Sequence, residues 1–76
     1  MRNTLKGLKE EATEHGVLIK QEGEYLRLYV KGHIVAWLYK MAECWGAATA
    51  SPTLGVKRGT KVECLDWALN HAIEEW

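Results

Sequence analysis

The sequence predicts an α+β domain, ordered α-β-β-β-α, with a three-stranded antiparallel sheet and its helices on one face. Three observations predict it. Apolar residues recur at helical spacing near both ends of the chain. The stretch between them is rich in β-branched and aromatic types. Glycine-bearing pairs then cut that stretch into short strand-sized segments. With 76 residues, the chain is expected to form a single domain, 1–76, around a small core.

Residues 4–15 read as a helix, with Leu5, Leu8 and Ala12 at helical spacing. Asn3 or Thr4 can cap its start, and Gly16 can take the left-handed conformation that ends it. Residues 17–22 and 25–31 read as strands joined by Gly23-Glu24, a two-residue turn with glycine first. Lys31-Gly32 makes a second tight turn into a segment from His33. In that segment Ile34, Trp37, Leu38, Met41 and Trp45 also fit a helical stripe. The turn signal and the missing cap favour a strand to about Tyr39, with a helix over 33–45 as the alternative.

Residues 46–61, built of small residues, glycine and the only proline, read as a long loop. The last helix is announced by Thr60 and Glu63, whose spacing makes a capping box. Val62, Leu65, Leu69, Ala72, Ile73 and Trp76 then share one side of it.

Composition narrows function by exclusion. Ten basic and ten acidic residues cancel, so net charge argues for neither a nucleic-acid binder nor an acidic mimic of one. A chain of zero net charge is open to self-association. The longest apolar run, Ile34 to Tyr39, is six residues, far short of a membrane span. Without a secretory signal at the start, Cys44 and Cys64 read as reduced thiols in a cytoplasm.

Catalytic and cofactor patterns are not found. His15, His33, His71, Cys44 and Cys64 have no metal-ligand spacing, so no metal and no cofactor are expected. Cys44 lacks any signature of a nucleophile, and a small packed cysteine is the simpler reading. Glu10-Glu11 and Glu74-Glu75 read as solvated surface, and the segment 55–59 lacks the spacing of a phosphate loop. The expectation is a non-enzyme with no small-molecule substrate and no membrane partner.

Some residues are left without a home. On a helical wheel Trp67 falls opposite the core stripe, beside Glu63, Cys64, Asn70, His71 and Glu74. Either the 46–61 loop folds over it, or it is a binding anchor with His71 and Glu63 around it. Two-residue turns would align Ile19, Leu28 and Val35, next to Gln21, Leu26 and Trp37, on the covered face. The other face would carry Leu18, Tyr29 and Ile34, then Lys20, Arg27 and Ala36, then Glu22, Tyr25 and Leu38. Leu18, Tyr25, Tyr29, Ile34 and Leu38 form an apolar patch there that invites a second copy or a partner protein.

Charge is uneven along the chain. Lys57, Arg58 and Lys61 run without an acid into a helix N-terminus, where a phosphate could sit. With Lys20 and Arg27 beside Tyr25 and Tyr29, they support nucleic-acid binding as the alternative function. Glu74 and Glu75 stand at a helix C-terminus, against its dipole, where a basic partner would relieve them. The element order resembles that of double-stranded-RNA-binding domains, with a basic turn before a last helix carrying Cys64, Ala68 and Ala72. The resemblance is one of topology and covers no diagnostic motif. The leading expectation is a small cytoplasmic accessory or inhibitor-type protein, of the kind phages and mobile elements carry. It would act by binding a protein partner or itself.

Overall fold

A computed structural model describes residues 4–50 and 55–75. Asn3, Trp76 and the proline of the 46–61 segment lie outside the described residues. The elements are α1 (Leu5–Glu14), β1 (Val17–Glu22), β2 (Tyr25–Val30), β3 (His33–Lys40), β4 (Trp45–Thr49), β5 (Val56–Gly59) and α2 (Lys61–Glu75). The strands form one five-stranded antiparallel meander, β1-β2-β3-β4-β5.

The expected three-stranded sheet is therefore corrected to five strands, and half of the 46–61 loop, residues 46–49 and 56–59, becomes sheet. The similarity in topology to double-stranded-RNA-binding domains goes with it. The physical reason lies in why β4 is made of small residues. Ala47 is fully buried within the core cluster that the helices close. On the other side the Tyr39 ring lies across Gly46, where an added Cβ would stand 2.5 Å from Cε2. Glycine and alanine here mark close packing on both faces, and composition alone reads them as loop.

Local signals place the remaining elements. Thr4 caps α1, its Oγ1 accepting from the Gly7 N–H at 3.0 Å. Lys31 and Gly32 both take positive φ, 52° and 83°, as a tight hairpin turn of matching twist requires. The segment from His33 is a strand, and the helical alternative over 33–45 is excluded. The capping box of α2 forms as its spacing predicts. The Thr60 N–H donates to Glu63 Oε1 at 2.9 Å, and the Glu63 N–H donates to Thr60 Oγ1 at 3.1 Å.

The β1–β2 register matches the sequence reading, with Leu18 opposite Tyr29 and Glu22 opposite Tyr25. The β2–β3 register does not. Tyr29 still faces Ile34, but Leu28 then faces Ala36, which leaves Val35 as the extra residue of a β-bulge. Val35 and Ala36 are both fully buried. Beyond the bulge every side chain of β3 changes face. Leu38, expected on the open face, is fully buried opposite Leu26, and Ala36 likewise moves into the core. Trp37, expected in the core, stands opposite Arg27 on the other side.

Both helices lie on the same face, α2 against all five strands and α1 against β1 and α2. The buried stripe of α2 is rotated from the expected one toward Cys64, Ala68 and Ala72. Small side chains there let the helix approach the sheet closely. Cys64 is fully buried, and its Sγ lies 3.3 Å from the Trp45 carbonyl oxygen. Burial, and then the neighbouring Glu63 charge, push the Cys64 thiol above its ordinary pKa, so it is packed rather than reactive. No helix is long and apolar enough to cross a membrane among the described residues.

Candidate functional site: the open face of the sheet

The helices cover one side of the sheet, and among the described residues no helix or strand covers the other. Register assigns that open face row by row. The first row holds Glu22, Tyr25, Tyr39, Gly46 and Arg58. The second holds Lys20, Arg27, Trp37, Ala48 and Val56. The third holds Leu18, Tyr29 and Ile34. Leu18, Tyr25, Ile34 and Val56 are 53%, 54%, 37% and 62% exposed, while Tyr29, Trp37 and Tyr39 are half-buried.

Of the five residues of the expected apolar patch, Leu18, Tyr25, Tyr29 and Ile34 are brought together and Leu38 is lost to the core. Trp37 and Tyr39 take its place, and β4 and β5 add Ala48, Val56 and Arg58. Alternation could not reveal this change, because Ile34 to Tyr39 is an unbroken apolar run in which every residue is a candidate for the core. The bulge shows only in the pairing of β2 with β3.

Polar side chains are laid over the face in contact with its rings. Lys20 Nζ stands 5.5 Å from the Tyr29 ring centroid, within reach of a cation–π interaction. Arg27 pairs with Glu22 at 3.1 Å. The hydrogen bond to Tyr29, and then the Glu22 charge, hold the Arg27 guanidinium above its ordinary pKa. Lys20, Arg27 and Arg58 against Glu22 give this face a net charge of two positives.

The helix layer carries the opposite sign. In α1, Lys6 and Lys9 face Glu10, Glu11 and Glu14 in number, and in α2 Lys61 is set against Glu63, Asp66, Glu74 and Glu75. That layer is four charges negative. The zero net charge of the chain thus hides two surfaces of unlike sign, at two positives and four negatives, with the remaining two positives on turns, strands and the N-terminus.

The expected basic corner is not assembled. Lys57 and Arg58 are adjacent in β5, so Lys57 turns toward the helices and Arg58 toward the open face. Lys61 Nζ lies over the Trp45 ring, 5.2 Å from its centroid. The helix N-terminus is already filled by the Glu63 carboxylate, whose pKa is held below its ordinary 4.5 by hydrogen bonds from Thr60. The Thr60 and Glu63 N–H groups at that end are thereby satisfied from within the chain.

The expected Trp67 anchor is partly covered. Its indole packs against the core cluster and stacks on His71, with centroids 6.4 Å apart and planes 20° from parallel. A Cβ added at Gly55, just ahead of β5, would be 3.7 Å from Trp67 Cζ2, so the chain does pass over the ring. His71 is half-buried and stands away from the sheet face on the helix layer. Two shallow hollows border α1, the narrower of about 210 Å³ between α1 and β1 and lined by Ala12, Val17 and Ile19 among others. Cys44 is half-buried, and both thiols are free. No family model, no curated protein and no solved structure matches the chain.

Proposed function

We propose that this chain is a non-enzymatic binding module of the cytoplasm that takes up a macromolecular partner on its open sheet face. One observation carries the reading: a whole sheet surface with four aromatic rings, Tyr25, Tyr29, Trp37 and Tyr39, has no covering layer among the described residues. A monomer rarely leaves a contiguous apolar surface of that kind without using it. Tyrosine, tryptophan and arginine are also the side chains that concentrate binding energy in interfaces. The two free thiols suit a reducing compartment.

Charge favours an unlike partner over a second copy. Two of these faces packed together would bring four net positive charges into one interface, whereas an acidic partner would neutralise them. The accessory or inhibitor role expected from size is compatible with this surface, which would act by occupying a partner.

The test is a double substitution of exposed residues, Tyr25→Ala with Ile34→Ala, whose circular dichroism should match that of the parent. Capture of partners from the source cells should be lost in the double variant and kept in Glu10→Lys on α1. Capture that survives the sheet substitutions and fails with Glu10→Lys would reject the open face as the docking surface.

A further inference from the structure

Resting on that reading of the open face, we propose that its occupant is a single-stranded nucleic acid, read by stacking and by phosphate contacts without sequence preference. The face alternates rings and cations. Along β2 the side chains on this side are Tyr25, Arg27 and Tyr29, about 6.7 Å apart from one to the next. Across from Tyr25 stands Tyr39, and across from Arg27 stands Trp37. Beyond Gly46, Arg58 closes the row that Tyr39 begins, and Lys20 lies over the Tyr29 ring. A ligand that repeats a flat apolar group and an anion matches a surface that repeats a ring and a cation. Nucleotides are such a ligand, since every base has a π-face and every linkage a phosphate.

The packing of Tyr39 is the second observation. Its Cε2, Cζ and hydroxyl lie 2.5, 2.7 and 3.0 Å from where a Gly46 Cβ would stand. The ring therefore lies down across β4 and does not stand up from β3. Tyr39 is only half-buried, so the side of the ring away from Gly46 is open to a base. A glycine beneath a recumbent ring makes a platform already fixed before the ligand arrives, which lowers the ordering cost of binding.

Geometry selects single strands. The bases of a duplex are stacked on each other and present no free π-face to a broad sheet, and among the described residues no helix or strand protrudes from this face to enter a groove. The two helices carry four net negative charges, against which Lys57 sets one positive on that side, so the helix side turns polyanions away and orients their approach.

The test is a titration of the full chain with oligouridylate of about 10 nucleotides. Its controls are a duplex of the same length and inorganic polyphosphate of matched charge. Oligouridylate should bind and quench tryptophan fluorescence, and the Trp37→Phe variant should lose most of that quenching. Tyr25→Ala and Tyr39→Ala should each weaken binding about 5- to 100-fold. Tyr25 is more than half exposed, so its variant stays folded even if the Tyr39 variant does not. With Lys20 and Arg58 as phosphate contacts, and Arg27 already paired with Glu22, log affinity should fall against log salt with a slope of about −1.4. Equal binding of polyphosphate, or tighter binding of the duplex, would overturn the proposal. So would binding that Tyr25→Ala leaves unchanged. If no nucleic acid binds while the sheet substitutions still abolish capture of a protein, this proposal falls and the docking surface itself stands.

Discussion

Lys31 carries the only non-glycine positive φ among the described residues, at 52°. The turn needs that conformation for its twist, and a lysine Cβ resists it by about 1–2 kcal/mol. Asparagine tolerates the same angles better. Lys31→Asn should therefore stabilise the protein by up to about 1 kcal/mol, raising the thermal midpoint by roughly 4–8 °C. A midpoint that falls would show that the lysine side chain makes a contact worth more than the strain. At the other cap, Thr60→Ala removes the acceptor for the Glu63 N–H and should cost about 1 kcal/mol in chemical denaturation.

Glu63 ties that cap to pH. Its folded pKa is depressed below 4.5 by the Thr60 hydrogen bonds, so the folded state favours the carboxylate. The contribution is complete above the unfolded value and is lost as pH falls through the lower, folded one. Glu63→Gln should therefore flatten the acid limb of the stability curve below about pH 4.5 and leave the shape near neutrality unchanged. An acid limb identical to the parent's would mean that the carboxylate does not close the box in solution.

The elements best read from sequence are those whose boundary residues have one physical job. Thr60 and Glu63 at a fixed spacing, Gly16 after a helix and Lys31-Gly32 between strands each admit few other uses, and each stands where the pattern places it. What could not be read is what depends on packing between distant parts. Trp45-Gly-Ala-Ala-Thr lacks the bulk that marks a strand, because α2 presses on one side of it and the Tyr39 ring on the other. The bulge at Val35 changes the face of Trp37 and Leu38, and a two-residue turn count carries no sign of it. Half of the candidate site was legible for this reason. Leu18, Tyr25, Tyr29 and Ile34 precede the bulge or sit at the turn, whereas Trp37, Tyr39 and Arg58 follow from it and from the extra strands.

The close approach of Tyr39 to β4 can be tested as a coupled pair. Gly46→Ala should destabilise by about 1–3 kcal/mol, since its Cβ would enter the ring's position. In a Tyr39→Ala background the same change should cost much less, giving a coupling energy of at least about 0.5 kcal/mol in a double-mutant cycle. Additive effects would place the ring away from Gly46 and remove the platform from the open face.

At the scale of the molecule, a balanced composition hides a two-sided object. The helix layer is negative by four charges and the open face positive by two, so global charge misreports what an approaching partner meets. The same polarity bears on oligomeric state. Sedimentation at micromolar concentration should give a monomer, because like-charged faces oppose a symmetric sheet-to-sheet dimer. A dimer dissociated by Ile34→Lys would instead mean that a second copy is the natural cover of this surface.

The most direct measurement follows backbone and indole N–H resonances while oligouridylate is added. The account predicts that the largest shifts fall on the Trp37 indole and on the amides of Arg27, Tyr39 and Arg58, with α2 unaffected. Shifts centred on Lys61, Trp67 and His71, or an unchanged spectrum at saturating oligonucleotide, would contradict it.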